Sequence, residues 1–186
     1  MIMNKIEFND LIIEKLEDHH DISCFECGNH DLNEFLMEKS RDQMNNKVNV
    51  TYLCKYDSYL VAFFTWCADS IMLKKIIDKD KDYLEELGIN YETLPALKLC
   101  RLAVDKQYHG NRIGPELVEL VISTALELSK TIGLRFITVD AYCNARWLYD
   151  KYLFKMFPKE ERKLVKYKRN PRPEHTISMY LDIHKE

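Results

Sequence analysis

The residues with the clearest chemical potential lie in one loop between an apolar strand and a long helix. Residues 101–114 read Arg-Leu-Ala-Val-Asp-Lys-Gln-Tyr-His-Gly-Asn-Arg-Ile-Gly, and Pro115 follows them. Backbone N–H groups at such a junction lack partners within the helix, and the helix dipole adds partial positive charge. The pattern therefore predicts a phosphate-binding loop. Tyr149, about thirty-five residues beyond the loop, completes a testable enzyme hypothesis.

The surrounding pattern predicts one domain, residues 1–186, of the α/β (α+β) class. The expected strands are 11–16, 48–56, 59–66, 97–104, 134–142, one beginning near residue 154, and 176–183; the expected helices are 29–40, one in the charged stretch 74–94, 115–130 and 144–152. Strand, glycine loop, helix and strand in this order form a βαβ unit, so strands 97–104 and 134–142 are expected to be parallel neighbours. A mixed central sheet of about six to seven strands with helices on both faces follows.

Positive charge is concentrated near the carboxyl end, although the net charge of the chain is −3. Residues 155–172 contain eight Lys or Arg and two Glu. A basic patch of this kind suits a partner that carries phosphate, and a solvated strand-and-loop face is the alternative interpretation. The candidate RNA-contacting residues are Lys159, Arg162, Lys163, Lys166, Lys168 and Arg169.

The six cysteines indicate a reduced, cytoplasmic protein. Four of them, Cys54, Cys67, Cys100 and Cys143, lie in or at the end of apolar runs, where free cysteine behaves as a small hydrophobe. Cys24 and Cys27 have the spacing of half a zinc site, but a second cysteine pair is missing, so no metal is expected. No apolar run approaches the roughly 18 residues of a membrane span, and the amino terminus does not read as a secretory signal.

With these elements in place, the chain resembles the GCN5-related N-acetyltransferase (GNAT) superfamily over almost its whole length. The matching motif is Gln107-x-x-Gly110-x-Arg112, extended by Gly114. The resemblance implies a GNAT fold and acetyl-CoA as cofactor, with its pyrophosphate on the loop and its pantetheine arm paired with the preceding strand. The implied cofactor-binding residues are Leu102, Ala103, Val104, Gln107, His109, Gly110, Asn111, Arg112, Ile113, Gly114 and Asn144.

Two further segments, residues 25–36 and 94–105, are similar to the acetyltransferase toxins of bacterial toxin–antitoxin systems. Residues 144–154 match a segment of that branch in which a tyrosine is followed, after four intervening residues, by a phenylalanine. This match makes Tyr149 the implied catalytic tyrosine. The resemblance implies aminoacyl-tRNA as the acceptor, an antitoxin protein as partner and a homodimer. Three residues depart from the family pattern: Arg112 replaces Gly or Ala, Pro115 removes an N–H after the loop, and Leu153 replaces the usual Gly.

A tyrosine is chemically suited to this reaction, because the thiolate that leaves acetyl-CoA needs a proton. A phenol, with a pKa of about 10, is protonated at neutral pH and is matched to a thiolate whose pKa is about 8.5 or above. The alternative for Tyr149 is a core aromatic, since the chain has 11 tyrosines. Tyr142 and Tyr152 are the neighbours most easily confused with it.

No general base stands out in the sequence. His109, Asp140 and Glu116 are candidates, and each also suits a structural role. An α-amino group, with a pKa of about 7.7–8.0, is already partly neutral and needs less help than lysine. An aminoacyl or peptide amino terminus therefore fits better than a lysine side chain as the acceptor.

Two alternatives stay open at this point. The first is the same acetyl transfer to a protein amino terminus or a small-molecule amine. A chain of another class would be a non-catalytic acyl-CoA-binding or protein-interaction module, in which Arg112 and Pro115 have degraded the cofactor site.

Overall fold

A computed structural model describes residues 6–172 and 174–185 and confirms the expected mixed α+β fold. Within these residues, seven strands lie in the order β1-β2-β3-β4-β5-β7-β6. The strands are β1 (Ile12–Lys15), β2 (Val50–Tyr56), β3 (Tyr59–Met72), β4 (Thr93–Val104), β5 (Phe136–Tyr142), β6 (Lys155–Met156) and β7 (Thr176–Asp182). The helices are α1 (His30–Glu34), α2 (Ser40–Asn45), α3 (Asp78–Glu86), α4 (Ile113–Ser129), α5 (Arg146–Asp150) and α6 (Glu161–Arg169). β4 and β5 are neighbours, as expected from the βαβ pattern.

The chain divides into two compact units. Unit 1 comprises residues 1–67 and 99–120, and unit 2 comprises residues 68–98 and 121–186. The glycine loop belongs to unit 1, whereas Tyr149, Asn144 and the basic stretch belong to unit 2. The single domain expected for residues 1–186 stays a prediction.

In unit 1, β1, β2 and the first part of β3 form an antiparallel meander. The predicted β2–β3 hairpin turns at Asp57, whose φ of +52° is a value that Asp adopts more readily than most residues. The hydroxyl groups of Thr51 and Thr65 lie 2.8 Å apart across the two strands. Phe63 packs between Phe25 and Phe35, with ring centroids 5.3 and 6.3 Å away, so an aromatic core fixes this face of the meander.

The first helix begins where the sequence predicts and continues beyond the predicted end. The side chain of Asn29 accepts a hydrogen bond from the Leu32 N–H at 3.3 Å, which caps the helix. A π-helical turn (Phe35–Lys39) joins α1 to α2, and α2 ends at Asn45. The buried side chains of Leu32, Phe35 and Leu36 hold this helix on the core.

In unit 2, β5 and β6 each pair with β7 in antiparallel fashion. Phe136, Phe157 and Tyr180 pack together in the core, with ring centroids 6.1 and 4.9 Å from that of Tyr180. The charged stretch forms α3, as predicted, and the chain leaves it through Gly88 with φ +75°.

α4 begins at Ile113, two residues before the predicted start. Pro115 is the third helical residue, where its missing N–H is one of those with no intrahelical acceptor, so proline is tolerated there. Leu117, Val118 and Val121 are buried, but Leu128, which the pattern assigned to the inner face, is 37% exposed.

The segment after Phe154 differs most from the prediction. β6 has only two residues, because Pro158 opens a 3₁₀ turn (Pro158–Glu160) that leads into α6. Proline has no N–H to continue a strand ladder. The interpretation of the basic stretch as a strand-and-loop face is therefore wrong, since most of its charges lie on a helix.

Candidate active site

Asp105 fixes the start of the glycine loop in unit 1. Its carboxylate, 2% exposed, accepts hydrogen bonds from the backbone N–H of Gln107 and from that of Glu26, each at 2.9 Å. The N–H of Asp105 donates to the Val61 carbonyl of β3 at 2.8 Å. Hydrogen bonds to an ionised acceptor are among the strong ones. The loop therefore leaves β4 in a defined direction.

Four main-chain N–H groups of the loop are available as hydrogen-bond donors. Among the described residues, the N–H groups of Gly110, Arg112, Ile113 and Gly114 have no hydrogen-bond acceptor. Gly110 has a φ of +88° with open space around its Cβ position, so this glycine is needed for its backbone angle and not for room. Unpaired N–H groups at a helix start are the donor set that binds phosphate.

The polar side chains of the loop hold its own main chain or face solvent. The His109 Nε2 lies 2.9 Å from the Val104 carbonyl oxygen, and the Asn111 side-chain amide donates to the Tyr108 carbonyl at 3.0 Å. Gln107 and Arg112 are exposed. Arg112 has a φ of +61°, in the region that glycine adopts without strain.

The end of β4 carries the residues expected to pair with the pantetheine arm. Ala103 is 4% exposed, while Leu102 and Val104 are half-buried. The preceding Arg101 places its guanidinium 5.0 Å from the ring centroid of Phe35, a cation–π contact that holds this side chain on the π-helical turn.

Tyr149 lies in α5 of unit 2, and its side chain is buried, with 6% exposed. Its ring packs edge-on against Phe154 at a centroid distance of 5.5 Å. Burial raises the pKa of Tyr149 well above its ordinary value, because the charged phenolate loses solvation. The phenol is therefore protonated at every physiological pH. The core-aromatic interpretation is compatible with the same burial.

Asn144 does not cap α5. The helix begins at Arg146 after Ala145, whose side chain makes no capping hydrogen bond, and Asn144 is exposed one residue earlier. The predicted helix 144–152 is thus reduced to five residues.

Asp140 occupies a polar cavity of about 130 Å³ in unit 2 that also includes Lys75 and Lys159. Its carboxylate accepts a hydrogen bond from Lys98 at 2.6 Å and one from the Ser178 hydroxyl at 2.6 Å. Burial acts to raise the pKa of Asp140, but these two hydrogen bonds outweigh it and hold the pKa below its usual range. An ionised carboxylate that accepts two hydrogen bonds in this way is a weak base. The sequence gives no sign that Lys98 and Ser178 donate hydrogen bonds to Asp140, because both residues are distant from Asp140 along the chain.

α6 carries most of the basic residues. Arg162, Lys163, Lys166, Lys168 and Arg169 are exposed on this helix, and Lys159 is exposed in the turn before it. Lys163 is 2.7 Å from the buried carboxylate of Glu160. Leu164 and Tyr167 are the half-buried residues of the helix, so α6 presents a cationic surface to solvent.

Comparison with known proteins gives relatives at low sequence identity. No protein-family model matches the chain. A tRNA-acetylating toxin of Mycobacterium tuberculosis is 22% identical over 152 residues, which is 81% of this chain and 88% of that protein. AtaT complexed with acetyl-methionyl-tRNAfMet and a tyrosine-to-phenylalanine mutant of KacT each superpose with a TM-score of 0.74 at 22% identity, covering 93% of this chain and 95% of theirs. AtaTR bound with acetyl-CoA gives a TM-score of 0.70 at 23% identity, over 94% of this chain and 95% of that one.

The chain has the GNAT-type fold of AtaT and KacT. The resemblance read from the loop and from residues 144–154 is confirmed at the level of the fold. In the described part of the chain, no helix is both long and apolar enough to cross a membrane.

The cysteine pair with zinc-like spacing has another role in this GNAT-type fold. The backbone N–H and the thiol of Cys27 both lie 3.1 Å from the side-chain oxygen of Asn33 and donate to it. Burial raises the pKa of the Cys27 thiol, whereas a metal ligand must be a thiolate. Cys27 thus ties the loop before α1 to the helix, and Cys24 is exposed.

Proposed function

We propose that this protein transfers the acetyl group of acetyl-CoA to the α-amino group of aminoacyl-tRNA. The observation that carries the proposal is the set of unpaired main-chain N–H groups in loop 110–114, in a chain with the fold of AtaT, which has been solved with acetyl-CoA. Proposed contacts with the coenzyme are the main chain of 102–104, loop residues 107–114 and Asn144. Acetyl-CoA supplies the acetyl group as a thioester.

The departures from the family pattern are compatible with diphosphate binding. Pro115 removes one N–H, but four others have no acceptor among the described residues. The exposed guanidinium of Arg112 adds positive charge beside those donors, and arginine suits phosphate in geometry as well as charge. The donor set therefore fits the group.

We assign Tyr149 the role of general acid. In the reaction, the acceptor nitrogen forms an amide bond to the acetyl carbon, the C–S bond breaks, and Tyr149 donates a proton to the departing sulfur. The nitrogen releases one proton to solvent, and Tyr149 takes one up from solvent to regain its phenol form. Burial keeps Tyr149 protonated, and the same desolvation would raise the pKa of a sulfur held beside it, which keeps donor and acceptor matched. Structures of tyrosine-to-phenylalanine mutants of both KacT and AtaT have been determined.

The acceptor is proposed to arrive as a neutral amine. Asp140 is a weak base, since Lys98 and Ser178 hold its charged form. His109 lies against the Val104 carbonyl. An α-amino group with a pKa of about 7.7–8.0 needs little help from either residue, unlike lysine at about 10.4. This favours an aminoacyl acceptor over a lysine side chain.

The RNA part of the acceptor is proposed to bind the cationic surface of α6, at Arg162, Lys166, Lys168 and Arg169, with Lys159 and Lys163. Five exposed basic residues on one helix attract the phosphates of a nucleic acid whatever its nucleotide sequence. AtaT has been solved with a tRNA, with the antitoxin AtaR and in a DNA-bound AtaT–AtaR complex. By analogy we propose an antitoxin partner for this chain. The homodimer implied by the sequence resemblance stays a prediction.

The test is acetyl transfer from labelled acetyl-CoA to a mixture of charged tRNAs by wild type, Tyr149→Phe and the control Tyr152→Phe. Tyr152 is a nearby, half-buried tyrosine, and its hydroxyl oxygen lies 3.4 Å from the Nζ of Lys151. We expect wild type and Tyr152→Phe to acetylate the aminoacyl group, and Tyr149→Phe to lose about 10²- to 10⁴-fold in rate, the range for a general acid. Equal rates for Tyr149→Phe and wild type would refute the assigned role.

The choice of acceptor is tested separately. Labelled product that appears only on peptides or small amines would replace the tRNA proposal with the alternative acceptor. An absence of saturable acetyl-CoA binding by calorimetry would overturn the enzyme proposal altogether.

A further inference from the structure

Two cysteines of unit 1 face each other on β3 and β4. The sulfur atoms of Cys67 and Cys100 lie 3.2 Å apart, and both side chains are partly exposed. A disulfide has an S–S length of about 2.05 Å, so the sulfurs need to approach by only about 1.2 Å.

Burial makes three of the other thiols less reactive. Burial raises the pKa of the Cys54 thiol to about 12, and burial also raises the pKa of the Cys27 and Cys143 thiols. The thiolate is the form that attacks peroxides and disulfides, so these three thiols react slowly. We therefore expect oxidation at Cys24, which is exposed, and at Cys67 and Cys100, whose sulfur atoms face each other.

We propose that Cys67 and Cys100 are a redox modification site that forms a reversible disulfide when the protein meets a peroxide. One thiolate attacks the O–O bond, which yields a sulfenic acid and water. The second thiol then attacks the sulfenic sulfur and releases a second water as the S–S bond forms. Two electrons pass from the two sulfurs to the peroxide, and a dithiol reductant reverses the change.

The disulfide would close the intervening segment of unit 2, residues 68–98, into a covalent loop. Cross-linking removes conformational freedom from the unfolded chain and so favours the folded state. Such bonds in reducing compartments are transient and report oxidation, which suits a partly exposed pair. The inference is independent of acetyl transfer and goes beyond it.

The test uses the full-length chain, fully reduced and then treated with hydrogen peroxide. Remaining thiols are blocked with an alkylating reagent, and the proteolytic peptides are identified by mass. We expect a cross-linked peptide pair containing residues 67 and 100, a mass loss of about 2 Da, and full reversal by dithiothreitol. Recovery of alkylated Cys67 and Cys100 at peroxide levels that oxidise Cys24, or their conversion to sulfinic acids without a cross-link, would overturn the proposal.

Two variants provide controls. Cys100→Ser is expected to abolish the cross-link, and Cys54→Ser, which removes the buried thiol, is expected to retain it. The oxidised wild type should also unfold about 5–10 °C higher than the reduced form, from closure of this loop. Should Cys100→Ser fail to fold, the peptide map of the wild type decides the question.

Discussion

Replacing Asp80 with Asn tests how unit 2 is held together. The Asp80 carboxylate, 1% exposed, accepts hydrogen bonds from Lys155 at 2.6 Å and Lys185 at 2.8 Å. Its second oxygen accepts a hydrogen bond from the Tyr180 hydroxyl at 2.7 Å, and that hydroxyl in turn accepts one from the Ile77 N–H at 3.1 Å. Lys155 directly follows Phe154, so the ion pair also anchors the segment that packs on the candidate catalytic tyrosine.

The structure sets the expected size of the effect. Breaking a buried ion pair by removing one partner costs about 3–5 kcal/mol. The side chains of Lys155 and Lys185 are 39% and 20% exposed, so both ammonium groups regain some hydration in the variant. We therefore expect the lower end, about 3 kcal/mol. With about 2.1 cal/mol/K of unfolding entropy per residue, the melting temperature falls by about 8 °C.

The assay is thermal unfolding by calorimetry at several pH values. Burial acts to raise the pKa of Asp80, but the hydrogen bonds from Lys155, Lys185 and Tyr180 outweigh it and lower the pKa. A carboxyl with a lowered folded-state pKa stabilises fully above its unfolded value of about 3.9 and loses that stabilisation as the pH falls through the folded value. The gap between wild type and Asp80→Asn should thus be constant at neutral pH and shrink below about pH 4.

The matched control is Asp82→Asn, two residues further along α3, where the side chain is exposed. Surface substitutions of this kind stay within about 0.5 kcal/mol. A melting temperature for Asp80→Asn within about 2 °C of that of Asp82→Asn would refute the reasoning, because a difference that small corresponds to less than about 1 kcal/mol.

Two further substitutions test the site more directly. Leu153→Gly should raise the free energy of unfolding by about 0.5–1 kcal/mol in urea titrations, because Leu153 has a φ of +62° and is 76% exposed. The control Leu153→Ala keeps a Cβ and should show no such gain. Equal free energies of unfolding for the two variants would contradict the backbone argument. Replacing Lys166 and Lys168 with Gln should weaken tRNA binding and lower its salt dependence by about 0.7–0.9 per lost phosphate contact. Lys130→Gln, at the end of α4, serves as the control, and unchanged binding by the double variant would exclude α6 as the RNA surface.

The elements that the sequence predicted well are those with local signals. Asn29 caps a helix, Asp57 lies in a tight turn and Gly88 follows a helix, and each of these residue types favours its place through immediate neighbours. The glycine loop belongs to the same class, since strand, loop and helix follow one another directly.

The features that sequence reasoning missed depend on residues far apart in the chain. Asp80 occurs in a run of alternating Lys and Asp that reads as solvated, yet it lies four residues before Leu84 on the buried face of α3. Its partners Lys155 and Lys185 are 75 and 105 residues away. The pairing of Lys98 with Asp140 spans 42 residues. Charge patterning reports none of these pairings, because only the folded chain brings the groups together.

The two replacements of family glycines share one physical explanation. Arg112 and Leu153 have φ values of +61° and +62°, and both stand where the resembled family has a small residue or glycine. A residue with a Cβ costs about 1–2 kcal/mol in this left-handed region, and such strain persists only where the surroundings over-determine the backbone. At Leu153 the following N–H of Phe154 donates to the Tyr149 carbonyl at 3.2 Å, and at Arg112 the carbonyl accepts from the Glu116 N–H at 3.2 Å. These bonds set the course of the chain whatever the side chain. The loop can therefore keep four N–H groups without an acceptor among the described residues, although its sequence has departed from the family pattern.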